Sequence, residues 1–137
     1  MLATNAGHAF SPDGSKVLAS SDETGVFNAI AFDKSGDVTE LTASETDATF
    51  AQSYFPGDER IIVTADKSGN ELNHIYVMEL DGTLADLTPG EEVKAFFGGW
   101  GAGHTGFYIW SNERDPSFFD LYLHSAEDYE PTQIFGN

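Results

Sequence analysis

One stretch of this chain recurs at a fixed interval, and that limits its folding choices more than any other feature. Asn28-Ala29-Ile30-Ala31-Phe32-Asp33-Lys34-Ser35-Gly36 and His74-Ile75-Tyr76-Val77-Met78-Glu79-Leu80-Asp81-Gly82 stand 46 residues apart. Asp120-Leu121-Tyr122-Leu123-His124 stands a further 46 on. Each copy is a short apolar run opened by a polar residue, and the first two copies close on glycine. Tyr54 and Pro56 repeat Phe10 and Pro12 at 44, and Leu87-Thr88 repeats Leu41-Thr42 at 46. A period in this range is the mark of one supersecondary unit used several times.

Within each copy the punctuation is that of short antiparallel strands. Ser11-Pro12-Asp13-Gly14 fits a type I turn, since proline pre-sets φ at its second position. It follows a strand at Ala9-Phe10, and Val17–Ser20, Val26–Phe32 and Val38–Thr42 complete the first set. In the second copy the strands include Ile61–Thr64, Ile75–Leu80 and Leu84–Thr88, with Asp81-Gly82 predicting a type I′ hairpin. The third copy places Trp100 where Tyr54 and Phe10 stand. It adds strands at Gly106–Ser111, Phe119–His124 and Thr132–Phe135, with a loop at 112–117.

A sheet with one wet face alternates apolar and polar residues. Ile75-Tyr76-Val77-Met78 and Phe107-Tyr108-Ile109-Trp110 are apolar throughout, so both faces need cover. No helical period is present to provide it. The cover has to come from neighbouring copies, which predicts an all-β chain: a partial β-propeller of three four-stranded antiparallel blades. The blades are expected at 1–48, 49–92 and 93–137. A two-sheet sandwich would explain the strands but not the register. Closed propellers need four to eight blades, so three leave apolar faces open at either end. The abrupt start and end read as those of a fragment, with self-association through the open faces as the other way to cover them.

Composition narrows the function classes. Twenty-three acidic against six basic residues give a formal charge of −17. Such a surface repels nucleic acid and anionic lipid, so neither is expected as a partner. There is no membrane-length apolar run and no signal-peptide pattern at the start. With no cysteine there is no thiolate nucleophile or thiolate metal site,, a state compatible with periplasmic, secreted or cytoplasmic life. His8, His74, His104 and His124 share no ligand spacing and read as structural. Asp66–Glu71 lacks the alternating acids of a calcium loop. No metal or cofactor is expected. Arg114 should pair with Asp115 or Asp120. Trp100, Phe107, Trp110 and Tyr122 read as packing between blades.

The Pro-Asp-Gly copy at 10–17, with Leu41-Thr42, and its echo in Ile75–Met78, Asp81-Gly82 and Leu87-Thr88 resemble the repeat of Tol-associated (TolB-like) propellers. The propeller of prolyl oligopeptidase-family serine peptidases carries the same repeat. The segment Ser111-Asn112-Glu113-Arg114-Asp115-Pro116-Ser117-Phe118-Phe119-Asp120-Leu121-Tyr122 is similar to a blade of the dipeptidyl- and acylaminoacyl-peptidase-like members. The second copy departs from the pattern, with Gly57-Asp58 in place of Asp-Gly. The peptidase resemblance implies a non-catalytic gate that admits peptide substrates to a hydrolase domain and sits beside the remaining blades of a parent chain. Its catalytic residues are absent here: no Gly-x-Ser-x-Gly elbow occurs, and Gly99-Trp100-Gly101-Ala102-Gly103 has glycine at the nucleophile position. The resemblance also implies that paired glutamates could hold a substrate's amino terminus, which makes Glu91 and Glu92 the candidate substrate-binding residues. The TolB-like resemblance implies instead a protein-interaction module.

Overall fold

A computed structural model describes residues 2–3, 9–67 and 69–136. Twelve strands form three four-stranded antiparallel sheets, each a meander in chain order. Sheet 1 holds β1 (Leu2–Ala3), β2 (Lys16–Ser21), β3 (Asn28–Asp33) and β4 (Val38–Glu40). Sheet 2 holds β5 (Thr49–Tyr54), β6 (Ile61–Ala65), β7 (His74–Met78) and β8 (Leu84–Asp86). Sheet 3 holds β9 (Ala95–Trp100), β10 (Gly106–Asp115), β11 (Phe118–Ser125) and β12 (Pro131–Phe135).

Of the two all-apolar strands, β7 lies where both faces are covered, whereas β10 is covered on the Phe107 and Ile109 face and leaves Trp110 exposed on the other. On one face of sheet 2, Ile61, Val63 and Met78 pack with Leu18 and Ala29 of sheet 1. On its other face, Ile62, Ile75 and Val77 pack with Ala95, Phe107 and Ile109 of sheet 3. Ile61, Ile62, Val63, Ile75 and Val77 are all fully buried. Polar bonds fix the spacing of the sheets. The Ala51 N–H donates to Ser20 Oγ at 2.8 Å, and Trp100 Nε1 donates to Ser53 Oγ at 2.9 Å.

The Leu-Thr repeat now has a cause. After β4 and β8 the chain leaves the ladder, and the last pairings are made by these two residues. The Leu41 and Leu87 N–H groups donate to the carbonyls of Ala29 and Ile75. The N–H groups of Ala29 and Ile75 then donate to the hydroxyls of Thr42 (2.9 Å) and Thr88 (3.0 Å). A threonine at that register closes a buried backbone donor that would otherwise be stranded.

Three expectations need correction. The expected strand at Ala9-Phe10 is only a single bridge between Phe10 and Val17, and the ladder partner of β2 is Leu2–Ala3. Asp81-Gly82 does not make a type I′ turn. The Gly82 N–H donates to Glu79 O and the Glu79 N–H to Thr83 O, while the positive φ falls on Gly82 alone. That is a type I turn closed by a left-handed glycine, and Asp33–Gly36 repeats it,. Finally, 112–117 is not a loop. β10 continues to Asp115, which pairs with Phe118 across a two-residue turn. Asn112 supports that extension by exchanging bonds with the backbone of Lys94.

Candidate site at the sheet 2 rim

His74 opens β7 and Asp86 ends β8. Tyr76 pairs with Asp86 in register, so His74 and Asp86 are diagonal neighbours on one pleat face,. His74 Nδ1 lies 2.8 Å from Asp86 Oδ2, and Asp86 Oδ1 accepts the Thr88 N–H at 3.0 Å. The imidazole stacks on the Tyr76 ring, with centroids 6.3 Å apart. Burial, together with the charges of Asp86 and Asp47, raises the Tyr76 phenol above its ordinary value. These groups line a cavity of about 490 Å³ with Lys67, Asn70 and Glu91 on its walls. Of the two glutamates proposed from sequence, Glu91 therefore lines a cavity. Glu92 is exposed on the same linker and does not line it.

The cavity has a counterpart one repeat earlier. A larger hollow of about 690 Å³ on sheet 1 is lined by Asn28, Ile30, Glu40 and Glu45 among others. Adding 46 to those numbers gives His74, Tyr76, Asp86 and Glu91. Asn28 ties down its own linker, its carbonyl accepting from the Thr42 hydroxyl and the Ser44 N–H. In sheet 3 the corresponding residue is Asp120, fully buried, and Arg114 donates to both its oxygens at 2.8 and 3.1 Å. The expected pairing of Arg114 is thus with Asp120. Sheet 1 places an amide and sheet 2 an imidazole beside an open cavity, and sheet 3 fills the position with an ion pair.

The other sequence-named residues scatter. His124 is buried against Phe107, and its Nδ1 is hydrogen-bonded to Tyr129 O at 3.0 Å. Burial holds its pKa below the ordinary imidazole value. His104 is exposed on the β9–β10 loop at positive φ, and His8 lies outside the described residues. Asp66 Oδ2 is engaged by the Glu71 N–H at 3.0 Å, which makes this a self-capped loop. Trp100 and Phe107 pack between sheets 2 and 3, whereas Trp110 lies on the outer face of sheet 3. No group of three or more His, Asp or Glu fit to hold a metal occurs among the described residues.

In the sequence His74 reads as structural because the four histidines share no ligand spacing; its actual partner, Asp86, stands 12 positions away. The signal was there in the hairpin: numbering outward from the Asp81-Gly82 turn brings 74 and 86 onto one face.

No protein-family model matches the chain, and no curated protein matches it. Solved structures do. TolB from Acinetobacter baumannii superposes with a TM-score of 0.68 at 18% identity, over 97% of this chain and 32% of that one. A protein described as TolB from Agrobacterium tumefaciens gives 0.67 at 19% identity, over 94% and 49%. An oligogalacturonate lyase in complex with manganese gives 0.67 at 20%, over 99% and 41%. The fold is a partial β-propeller. The chain spans less than half the length of each of these propeller chains.

Proposed function

We propose that the chain supplies three blades of a non-catalytic propeller acting as a protein-interaction module, and that its sheet 2 rim cavity takes a basic segment of a peptide. The observation that carries this reading is the rim position itself. It recurs every 46 residues, and in sheet 2 the cavity combines Asp86 and Glu91 with the rings of His74 and Tyr76, where the sheet 1 hollow has Glu40 and Glu45 with Asn28 and Ile30. Carboxylates on a chain of net charge −17 favour a cationic guest, and Tyr76 and His74 offer ring faces to its apolar part,. The fold likeness to TolB structures is compatible with an interaction role, as the likeness to an oligogalacturonate lyase is with a catalytic one. The test is fluorescence anisotropy with labelled 12-residue peptides, with lysine beside leucine or phenylalanine, against acidic controls. Basic peptides should bind, and Glu91→Gln should weaken binding about three- to tenfold, or about 1 kcal/mol. Equal binding of acidic and basic peptides, or indifference to both Glu91→Gln and His74→Ala, would overturn the proposal.

The peptidase-gate reading rests on the Ser111–Tyr122 segment, which folds as a long hairpin braced by Arg114–Asp120. It requires a hydrolase domain with a nucleophile elbow in the same reading frame after Asn137. It also requires that a serine-directed fluorophosphonate leave this segment unlabelled. A frame without that elbow removes the gate and keeps the interaction module.

A further inference from the structure

We propose that a peptide held at the sheet 2 rim runs on across the β4–β5 linker into the sheet 1 hollow, so that the chain reads two basic side chains three residues apart. This rests on the interaction-module reading and names the sequence pattern of its guest.

The first observation is that the two cavities repeat one another. Glu40 and Glu45 line the sheet 1 hollow, and their counterparts 46 residues on, Asp86 and Glu91, line the sheet 2 cavity. The hollow adds Glu23 and an apolar lining of Ile30, Phe32 and Val38, with no lysine or arginine on its walls. In the sheet 2 cavity Lys67 offsets part of the charge, and the His74 and Tyr76 rings supply the apolar wall. None of Glu40, Glu45 and Glu91 takes part in an ion pair among the described residues. Carboxylates beside an apolar wall suit a lysine or arginine, which buries its methylene stem and keeps its charged head at the acids.

The second observation is that only a short piece of chain separates the two. Glu45 lines the sheet 1 hollow. Asp47, two residues on, stands close enough to Tyr76 for its charge to help raise that phenol in the sheet 2 cavity. The linker is pinned between them. Asn28 accepts the Ser44 N–H at 2.8 Å and donates to Ser44 O at 2.9 Å, and the Asp47 N–H donates to Ser44 Oγ at 3.1 Å. The core of sheet 1, at Leu18 and Ala29, packs directly on Ile61 and Val63 of sheet 2. Sheets stacked this way stand about 10 Å apart, which sets the distance between equivalent points on their rims.

That distance selects the guest. In an extended strand residues i and i+3 face opposite ways. In a polyproline II segment they face the same way, and at 3.1 Å per residue they lie about 9 Å apart. Such segments characteristically dock in grooves walled by aromatic rings, as His74 and Tyr76 wall this one. The sheet 2 cavity also shows which part of the sheet 1 hollow is available. Tyr76 and Met78 pack against sheet 1, yet the strand end at His74 still borders open space. The corresponding end of the hollow, at Asn28, Glu40 and Glu45, is the part that stays accessible whatever stands against Ile30 and Phe32.

The test is fluorescence anisotropy with labelled 12-residue peptides of proline and glutamine. One carries a single lysine, and three carry two lysines at spacings of one, three and six. The i, i+3 peptide should bind about tenfold tighter than the single-lysine peptide. The other two, with the same net charge, should gain much less. In a Glu40→Gln, Glu45→Gln double variant the i, i+3 peptide should lose its advantage over the other spacings. Equal affinity at all three spacings, or a maximum at another spacing, overturns the inference and leaves the interaction module standing. A preference for i, i+3 that survives the double variant overturns it too, since the second lysine would then sit elsewhere. Failure of every basic peptide to bind overturns the inference together with the module.

Discussion

Thr88→Val isolates the bond that explains the Leu-Thr repeat. Thr88 is 1% exposed, and its hydroxyl accepts the N–H of fully buried Ile75 at 3.0 Å. Valine keeps the shape and exchanges the hydroxyl for a methyl, so no cavity opens. What changes is the Ile75 N–H, which loses its acceptor where water cannot replace it. A stranded buried donor costs about 1–3 kcal/mol. The added apolar group returns up to about 0.8 kcal/mol, leaving a net loss of about 1–2 kcal/mol. For a chain of this size that lowers Tm by roughly 5 °C.

Thr42→Val is the internal control. Thr42 makes two bonds, to Ala29 and Asn28, but is only half-buried, so water can recover part of the loss. The expected order in urea melts is Thr88→Val below Thr42→Val below wild type, with m unchanged. A Thr88→Val variant as stable as wild type would refute the argument, because it would mean the hydroxyl is not what the repeat preserves. Hydrogen exchange at Ile75 gives a second reading: its amide should lose protection in the variant while that of Val77 keeps it.

Arg60 is the clasp between sheets 2 and 3. Its guanidinium lies 4.0 Å from the centre of the Phe55 ring, pairs with Asp58, and donates to Ala126 O and to the Tyr129 hydroxyl, which itself donates to Glu79. Arg60→Ala should cost about 2 kcal/mol in urea denaturation. Arg60→Lys should recover less than half, since the planar fork is lost; full recovery by lysine would reduce the clasp to a simple charge. At Gly106 an added Cβ would stand 2.8 Å from His124 O and 3.1 Å from Leu123 Cδ1, so Gly106→Ala should lose about 1–3 kcal/mol by overpacking. A neutral Tm would show that the β10–β11 hairpin yields. His124 gives a pH signature. Its folded pKa is depressed by burial, so below about 6.5 the unfolded chain takes up the proton first, and stability falls as pH drops from there toward the folded value,. His124→Gln should flatten the pH dependence of the urea midpoint below about pH 6.5 relative to wild type,; parallel curves would place the titration elsewhere.

The architecture was legible because stacking imposes it on sequence. Ile75–Met78 has to be apolar throughout when sheets cover both pleat faces, and no competing period obscures that run. Turn type was less legible than turn position. Asp-Gly at 81–82 is compatible with two hairpin geometries, and the choice depends on whether Glu79 or Leu80 closes the ladder, a one-residue matter of register. The hairpin at 112–117 looked like a loop because its polar residues signal solvent. Those side chains are instead engaged by the structure, Arg114 on Asp120 and Asn112 on Lys94.

The site was legible only in outline, for a reason the three sheets share. Where the third strand enters the packed region stands Asn28, then His74, then Asp120, while the apolar positions behind it hardly change character. Packing between sheets acts on those apolar positions, so their pattern survives as a period that can be read directly. The opening position sits at the end of the packed region, where any polar group serves provided its hydrogen bonds are met. Asn28 meets them with its linker and Asp120 with Arg114. His74 meets them with Asp86 and retains a cavity wall. Periodicity therefore locates the rim position but says nothing of its chemistry, because that depends on a partner each repeat supplies differently. The same reasoning explains Glu91. It was named as half of a pair with Glu92, yet it reaches the cavity through its place on the linker, as the counterpart of Glu45 one repeat earlier.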